Sequence, residues 1–117
     1  MQSPARHALL HSGAILASGS SEVKNLDAKN LILIVDVTAI QGTTPTLDVI
    51  VEELDPASGK YTQVGAALGT ISTVSKVRHT VLGDTTPFGP MLRISWTLGG
   101  TATPGFTFTA GLLGNGG

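Results

Sequence analysis

The stretch LILIVDVTAI, residues 31–40, decides the fold class of this chain. Its odd-numbered positions are all apolar, and they are Leu31, Leu33, Val35, Val37 and Ala39. The even-numbered positions mix Asp36 and Thr38 with isoleucines. An apolar residue at every second position is typical of a β-strand with one buried face. We therefore predict a strand here whose odd positions point into a core.

The same alternation recurs in three other segments of the chain. Their predicted inward residues are Leu47, Val49 and Val51 in the first, Leu92, Ile94, Trp96 and Leu98 in the second, and Phe106, Phe108, Ala110 and Leu112 in the third. Shorter strands are predicted at residues 61–64, 70–74 and 76–82. Together these segments give about eight short strands.

Glycine- and proline-containing segments separate the predicted strands. Residues 41–45 are predicted to be the turn of a β-hairpin, and residues 55–60 and 99–104 are predicted to be further turns. The segments GTTP at 42–45 and GTATP at 100–104 resemble each other. We interpret this likeness as shared turn chemistry.

Many short strands at a spacing of about 8–12 residues are typical of an antiparallel β-sandwich, a jelly roll or a small barrel. A chain of 117 residues has the length of one domain. We predict an all-β, single-domain sandwich or jelly roll with an extended N-terminal arm. Residues 1–20 are assigned to that arm or to an edge strand, 21–113 to the sandwich, and 114–117 to a Gly-rich tail without intrinsic order.

Composition argues against several classes of partner. Only 13% of residues are charged and the net charge is −1, with basic residues scattered along the chain. Binding to nucleic acid or to an acidic membrane is therefore not expected. The absence of cysteine excludes disulfides and thiolate chemistry. No signal peptide or membrane span is evident, so synthesis in the cytoplasm is expected.

The histidines offer little support for a metal site. His7 and His11 are four residues apart, a spacing that places both on one side of a regular strand or helix. A metal site needs a third ligand, and no acidic residue lies near them in sequence. His79 alternates with Val77 and Val81, so we expect a structural histidine on or beside the inner face, with a pH-sensitive contact as the alternative.

Three carboxylates, Asp36, Asp48 and Glu52, lie on predicted outward faces that the proposed hairpin would bring together. Such a group suits a Ca²⁺ site or a glycosidase acid–base pair. Outward carboxylates also keep a strand soluble, and we prefer this interpretation.

Evidence for a catalytic or sugar-binding site is also weak. Glycan recognition needs exposed aromatic residues, for which Tyr61, Phe88 and Trp96 are the candidates. No Gly-x-Ser-x-Gly nucleophile motif is present. We predict a non-enzymatic protein with no catalytic, cofactor-binding or metal-ligating residues.

Several segments together resemble a family of small virion proteins of tailed bacteriophages. They are DVTA at 36–39, GTTPTLDV at 42–49, DPASGKY at 55–61, LRISWT at 92–97, the turn GGT at 99–101 and FTFT at 106–109. Each is a strand or turn motif, and their order and spacing agree with the family.

The resemblance covers roughly residues 30–113, and departs from the family in the N-terminal arm and in residues 76–90. It implies a structural protein of the virion that decorates or cements the assembled head. The implied partners are the major capsid protein or other virion proteins and further copies of this chain, with a trimer favoured. A tail, neck or receptor-binding component and a carbohydrate-binding β-sandwich module are the alternatives.

Overall fold

The computed structural model of the chain describes residues 5–26, 30–65, 67–82 and 91–115. Strand accounts for 77% of these residues and helix for none, so the all-β prediction is confirmed. The strands form one antiparallel, strongly curled sheet that has the form of a half-barrel.

Seven strands make up the sheet within the described residues. They are β1 (Ala5–Ile15), β2 (Gly19–Ser20), β3 (Lys24–Asn25), β4 (Leu31–Leu54), β5 (Tyr61–Val64), β6 (Ser75–Leu82) and β7 (Met91–Asn115). The central pair is β4 and β7, which run antiparallel along almost their whole length, from Ile32 opposite Leu113 to Glu53 opposite Leu92. Strands β1, β2 and β3 border β7, whereas β5 and β6 border β4.

The central ribbon of β4 and β7 folds back on itself near its middle. Trp96 and Phe108 both belong to β7, and a straight strand would separate their Cα atoms by about 40 Å. Their ring centroids are instead 5.9 Å apart, in an edge-to-face arrangement. The two halves of the ribbon therefore face each other across a shared interior.

Close backbone packing produces this fold-back at a region that we call the corner, residues 41–46 of β4 and 99–105 of β7. Gly42 has φ +95° and Gly100 has φ +119°, conformations that favour glycine. A Cβ atom on Gly42 would lie 2.7 Å from the Cα of Pro104. A Cβ atom on Gly100 would lie 2.9 Å from the Cα of Pro45.

The two similar segments of the sequence thus lie opposite each other, and each glycine packs against the proline of the other segment. Thr43 is the register partner of Thr101, and the register shifts on either side of it. The predicted turns at 41–45 and 99–104, and the predicted hairpin, are wrong. Both segments bend their strands without ending them, because bulges absorb the extra residues while pairing continues on both sides.

The corner divides the sheet into two halves with different strand content. In the first half, the order is β1, the second part of β7, the first part of β4, and β6. In the second half, the order is β2 with β3, the first part of β7, the second part of β4, and β5.

The core lies between these halves and follows the predicted alternation. Leu31, Leu33, Val35 and Val37 are buried, as are the predicted inward residues of the other three segments apart from the half-buried Leu98. Ala39 is exposed, contrary to prediction, because a register shift between Val37 and Ala39 precedes the corner. No polar or charged side chain of the described residues is buried.

Two smaller predictions also differ from the structure. Residues 70–74 are not a strand: only Ile71 pairs there, through a single bridge to Leu47. Gly114 and Asn115 belong to β7 opposite Arg6 and Ala5, so the first part of the segment predicted to lack order is paired. The rest of that segment lies outside the described residues.

The predicted turn at residues 55–60 is confirmed and joins β4 to β5. The Asp55 carboxylate accepts hydrogen bonds from the Ala57 amide at 2.9 Å and from the Ser58 hydroxyl at 2.8 Å. Gly59 has φ +74°, and its amide donates to the Asp55 carbonyl at 2.8 Å. The Ser58 hydroxyl, followed by the Ala57 amide, lowers the pKa of the Asp55 carboxyl group.

Gly42→Ala should destabilise the protein more than Gly69→Ala. Both glycines have similar positive φ values, +95° and +91°, but only Gly42 has backbone atoms within reach of a new Cβ. The shared φ strain costs about 1–2 kcal/mol, and the contact with Pro104 should add about 1–3 kcal/mol. Urea unfolding of the two variants measures the difference. Equal losses of stability in the two variants would show that the close contact between Gly42 and Pro104 does not limit the space at the corner.

The Asp55 turn should stabilise the fold in a pH-dependent way. Because its pKa is lowered in the folded state, its contribution is complete above the ordinary value of 3.8 and is lost as pH falls through the lowered pKa. Asp55→Asn should therefore lower the melting temperature at neutral pH and converge with wild type in acid. Thermal unfolding across this range tests the expectation, and a constant difference between the two proteins would contradict it.

Candidate interaction surface

A β-bulge in β1 separates the two histidines that the sequence placed on one side of a strand. The register with β7 shifts between Leu9 and His11, so Leu10 is the extra residue. A bulge inverts the inward and outward positions that follow it. His7 is consequently exposed on the outer face, whereas His11 points inward and is partly buried. The expectation that they share a side is wrong.

His11 packs between the two halves of the sheet. Its ring centroid lies 4.3 Å from that of Phe108 and 4.9 Å from that of Trp96. Its Nε2 donates a hydrogen bond to the carbonyl oxygen of Gly13 at 3.0 Å. Trp96 is fixed in turn by its Nε1–H, which donates to the carbonyl oxygen of Ala17 at 3.0 Å. His11 thus contributes to packing of the core.

The carboxylates singled out in the sequence do not converge. All three lie on β4, where Asp48 accepts a 2.6 Å hydrogen bond from Thr70 and Glu52 forms a 3.0 Å ion pair with Arg93. Asp36 has Lys76 as its register partner on β6. Among the described residues, no three His, Asp or Glu side chains form a group able to hold a metal ion. His79 is half-buried on β6 and faces inward between Val77 and Val81, as expected.

The described aromatic residues do not form a sugar-binding platform. Trp96, Phe106 and Phe108 are buried. The ring of Tyr61 is covered by Arg93, whose guanidinium carbon lies 3.4 Å from the ring centroid. Phe88 lies outside the described residues. A sugar ring could therefore stack on this face of Tyr61 only if Arg93 were displaced.

An apolar depression occupies the outer face of the first half of the sheet. We call it the outer patch, and it is formed by Leu9, Ile34, Gly111 and Leu113, with Thr109 and His7 at its margin. Gly111 is the register partner of Leu9 on one side and of Ile34 on the other. Because glycine has no side chain, these neighbours border a cavity of about 230 Å³ that is widely open to solvent. Leu9 is 60% exposed beside it.

A second apolar area lies at the corner, and we call it the corner patch. It consists of Ala14, Leu16, Ala39 and Ile40 around Gly105, and these residues border an open depression of about 50 Å³. Leu16 is 61% exposed and Ile40 is 38% exposed. A cluster of exposed large apolar side chains is characteristic of a surface that contacts another molecule.

The far edge of the first half has a different character. On β6, Lys76 and Arg78 are exposed and lie opposite Asp36 and Ile34. Charged side chains on an edge strand discourage pairing with other strands. In β1, by contrast, residues 7–15 contain no Lys, Arg, Asp or Glu. The β1 edge of the first half, uncharged over residues 7–15, therefore lies beside the apolar outer patch.

Neither patch is evident from the sequence pattern. The run of apolar residues in β1 predicted a strand or an arm, but its phase depends on the bulge at Leu10. The one available signal was Gly111, an outward position between Thr109 and Leu113 in an otherwise regular alternation. Leu9 and Ile34 become neighbours of Gly111 only because β1 and β4 pair with β7 in this register.

Helices long and apolar enough to cross a membrane are absent from the described ranges. Comparison of the chain with protein-family models, with curated proteins and with solved structures finds no match.

His11→Ala should destabilise the protein by about 1–3 kcal/mol, because it removes a ring packed between two other rings. His7→Ala is the matched control, since His7 is exposed on the opposite face of the same strand, and it should change stability by less than about 0.5 kcal/mol. Denaturant unfolding followed by the fluorescence of Trp96 reports both values. Similar effects of the two substitutions would contradict the inversion at the bulge.

Proposed function

We propose that this chain is a non-enzymatic structural protein of a tailed bacteriophage that decorates the assembled head. In this proposal it acts as a homo-oligomer, contacts the major capsid protein or other virion proteins, and is located in the virion. Its role is to add contact area between proteins that are already assembled.

The observation that carries the proposal is the apolar outer surface of the first half of the sheet. Leu9 and Leu16, 60% and 61% exposed, belong to separate patches on the same half. Such exposure is unfavourable for an isolated soluble protein and favourable for one whose surface becomes covered. The low charge of the chain, 13% of its residues, agrees with contact to other protein surfaces.

The strand order supports a jelly roll, a fold common among viral capsid domains. Dividing β4 and β7 at the corner, and taking β2 with β3 as one segment, gives eight segments in chain order. One half of the sheet then contains segments 1, 8, 3 and 6, and the other contains segments 2, 7, 4 and 5. A jelly roll has this order, since a long antiparallel ribbon folded over its middle generates it. We propose that the half-barrel is a jelly roll of this kind.

Sequence resemblance provides the link to bacteriophage virions. The motifs that carry it lie mostly on the central ribbon of β4 and β7 and on the turn that follows β4. Three of them, at 42–49, 99–101 and 106–109, overlap the corner or begin directly after it. The resemblance thus concerns the segments that determine the bend of the sheet.

The protein should be present in purified virus particles from the source of this sequence, in many copies per particle. Mass spectrometry detects it, and electron microscopy of the same particles locates it. Density on the head is the expected result. Density confined to the tail or neck would indicate a tail or neck component and not a head decoration protein. Absence of the protein from the particles would overturn the proposal.

A binding assay tests whether the corner patch contributes to attachment. Leu16→Asp should weaken cosedimentation of the protein with heads that lack it by about tenfold, because a charge replaces an apolar contact. Val74→Asp is the control, as Val74 is 57% exposed and does not line either patch. Equal binding by the two variants would exclude the corner patch from the contact.

A further inference from the structure

The outer patch contains a projection and a cavity side by side. Leu9 is 60% exposed and lies directly opposite Gly111 in the register of β1 and β7. The cavity above Gly111 has a volume of about 230 Å³. An apolar cavity of about 150 Å³ already accepts a molecule of the size of benzene. The cavity therefore has room for a leucine side chain.

The charges at the margin of the patch permit contact between identical surfaces. Among the residues whose side chains the structure describes, none that lines the cavity is Asp, Glu, Lys or Arg. On the side of β6, Arg78 lies opposite Ile34, while Asp36 follows two positions later on β4. Both signs of charge are thus present beside the apolar centre. With a net charge of −1, long-range repulsion between copies is small.

We propose that two copies of this chain associate about a two-fold axis through the outer patch, each inserting Leu9 into the Gly111 cavity of the other. A two-fold contact uses the same surface on both partners and requires that surface to be self-complementary. A projection adjacent to a cavity on one patch meets this requirement. This contact is the one that joins the copies of the homo-oligomer, and in that respect it rests on the proposed function.

A two-fold dimer and a closed trimer place the projection and the cavity differently on the chain. In a closed trimer each contact joins two different surfaces of the chain, so the projection and the cavity would lie on separate patches. Here both lie on one patch, in adjacent strands. The structure therefore favours a two-fold contact over the trimer that the resemblance implied.

Sedimentation equilibrium of the purified protein tests the contact. Wild type should have twice the mass of the chain. Leu9→Ser should raise the dissociation constant by at least about tenfold, and Val74→Ser, which alters a similarly exposed side chain elsewhere, should not.

A second pair of variants tests the cavity without touching the projection. Thr109 is exposed at the margin of the cavity, and Thr109→Phe should occupy it and weaken the dimer. Thr97→Phe places the same ring on the other half of the sheet, at another exposed threonine of β7, and should leave the dimer intact. Circular dichroism confirms that each variant is folded.

The outcomes separate the contact from the proposed function. A monomer or a trimer in solution, or a dimer that resists both Leu9→Ser and Thr109→Phe, would overturn the two-fold contact. If that protein is still found on virus particles, the proposed function stands without it. If the dimer is weakened by both substitutions but the protein is absent from virus particles, the two-fold contact is supported and the proposed function is overturned.

Discussion

The close approach of the β4 and β7 backbones at the corner is the constraint on which the rest of the structure depends. Gly42 and Gly100 lie so close to Pro104 and Pro45 that neither glycine has room for a side chain. Their positive φ values turn β4 and β7 while the strands stay paired on both sides. Without this close approach, the ribbon would remain extended and its apolar face would have nothing to pack against.

Everything in the interior follows from that bend. Apolar residues from both halves of the ribbon form a single core, and Trp96 and Phe108 meet although they belong to one strand. The bulge at Leu10 then adjusts β1 to this interior by turning His11 inward to fill the space beside the two rings. The core contains no buried polar side chain among the described residues, so its stability derives from apolar burial and backbone pairing.

The outer surface is less uniform than the interior. Around Arg93, an ion pair with Glu52 and stacking on Tyr61 satisfy the charged groups within the chain itself. Around Gly111, apolar side chains remain exposed beside a cavity. The charged groups of the first area are satisfied without a partner. Covering the second area with another surface lowers the free energy, because apolar groups leave water. This contrast is why the proposals concern the first half of the sheet.

The sequence alone determined the fold class and most of the core, because an alternation of period two places residues on opposite faces of any strand. It thereby identified Leu31 to Val37, Leu47 to Val51 and Phe106 to Leu112 as inward stripes. It could not distinguish a turn from a bend at Gly42, since both need glycine and proline, and the difference depends on a second strand 58 residues away. The sides of His7 and His11, and the cavity at Gly111, likewise depended on a bulge and on strand register. Only tertiary structure decides these, because they arise from pairing between segments that are distant in sequence.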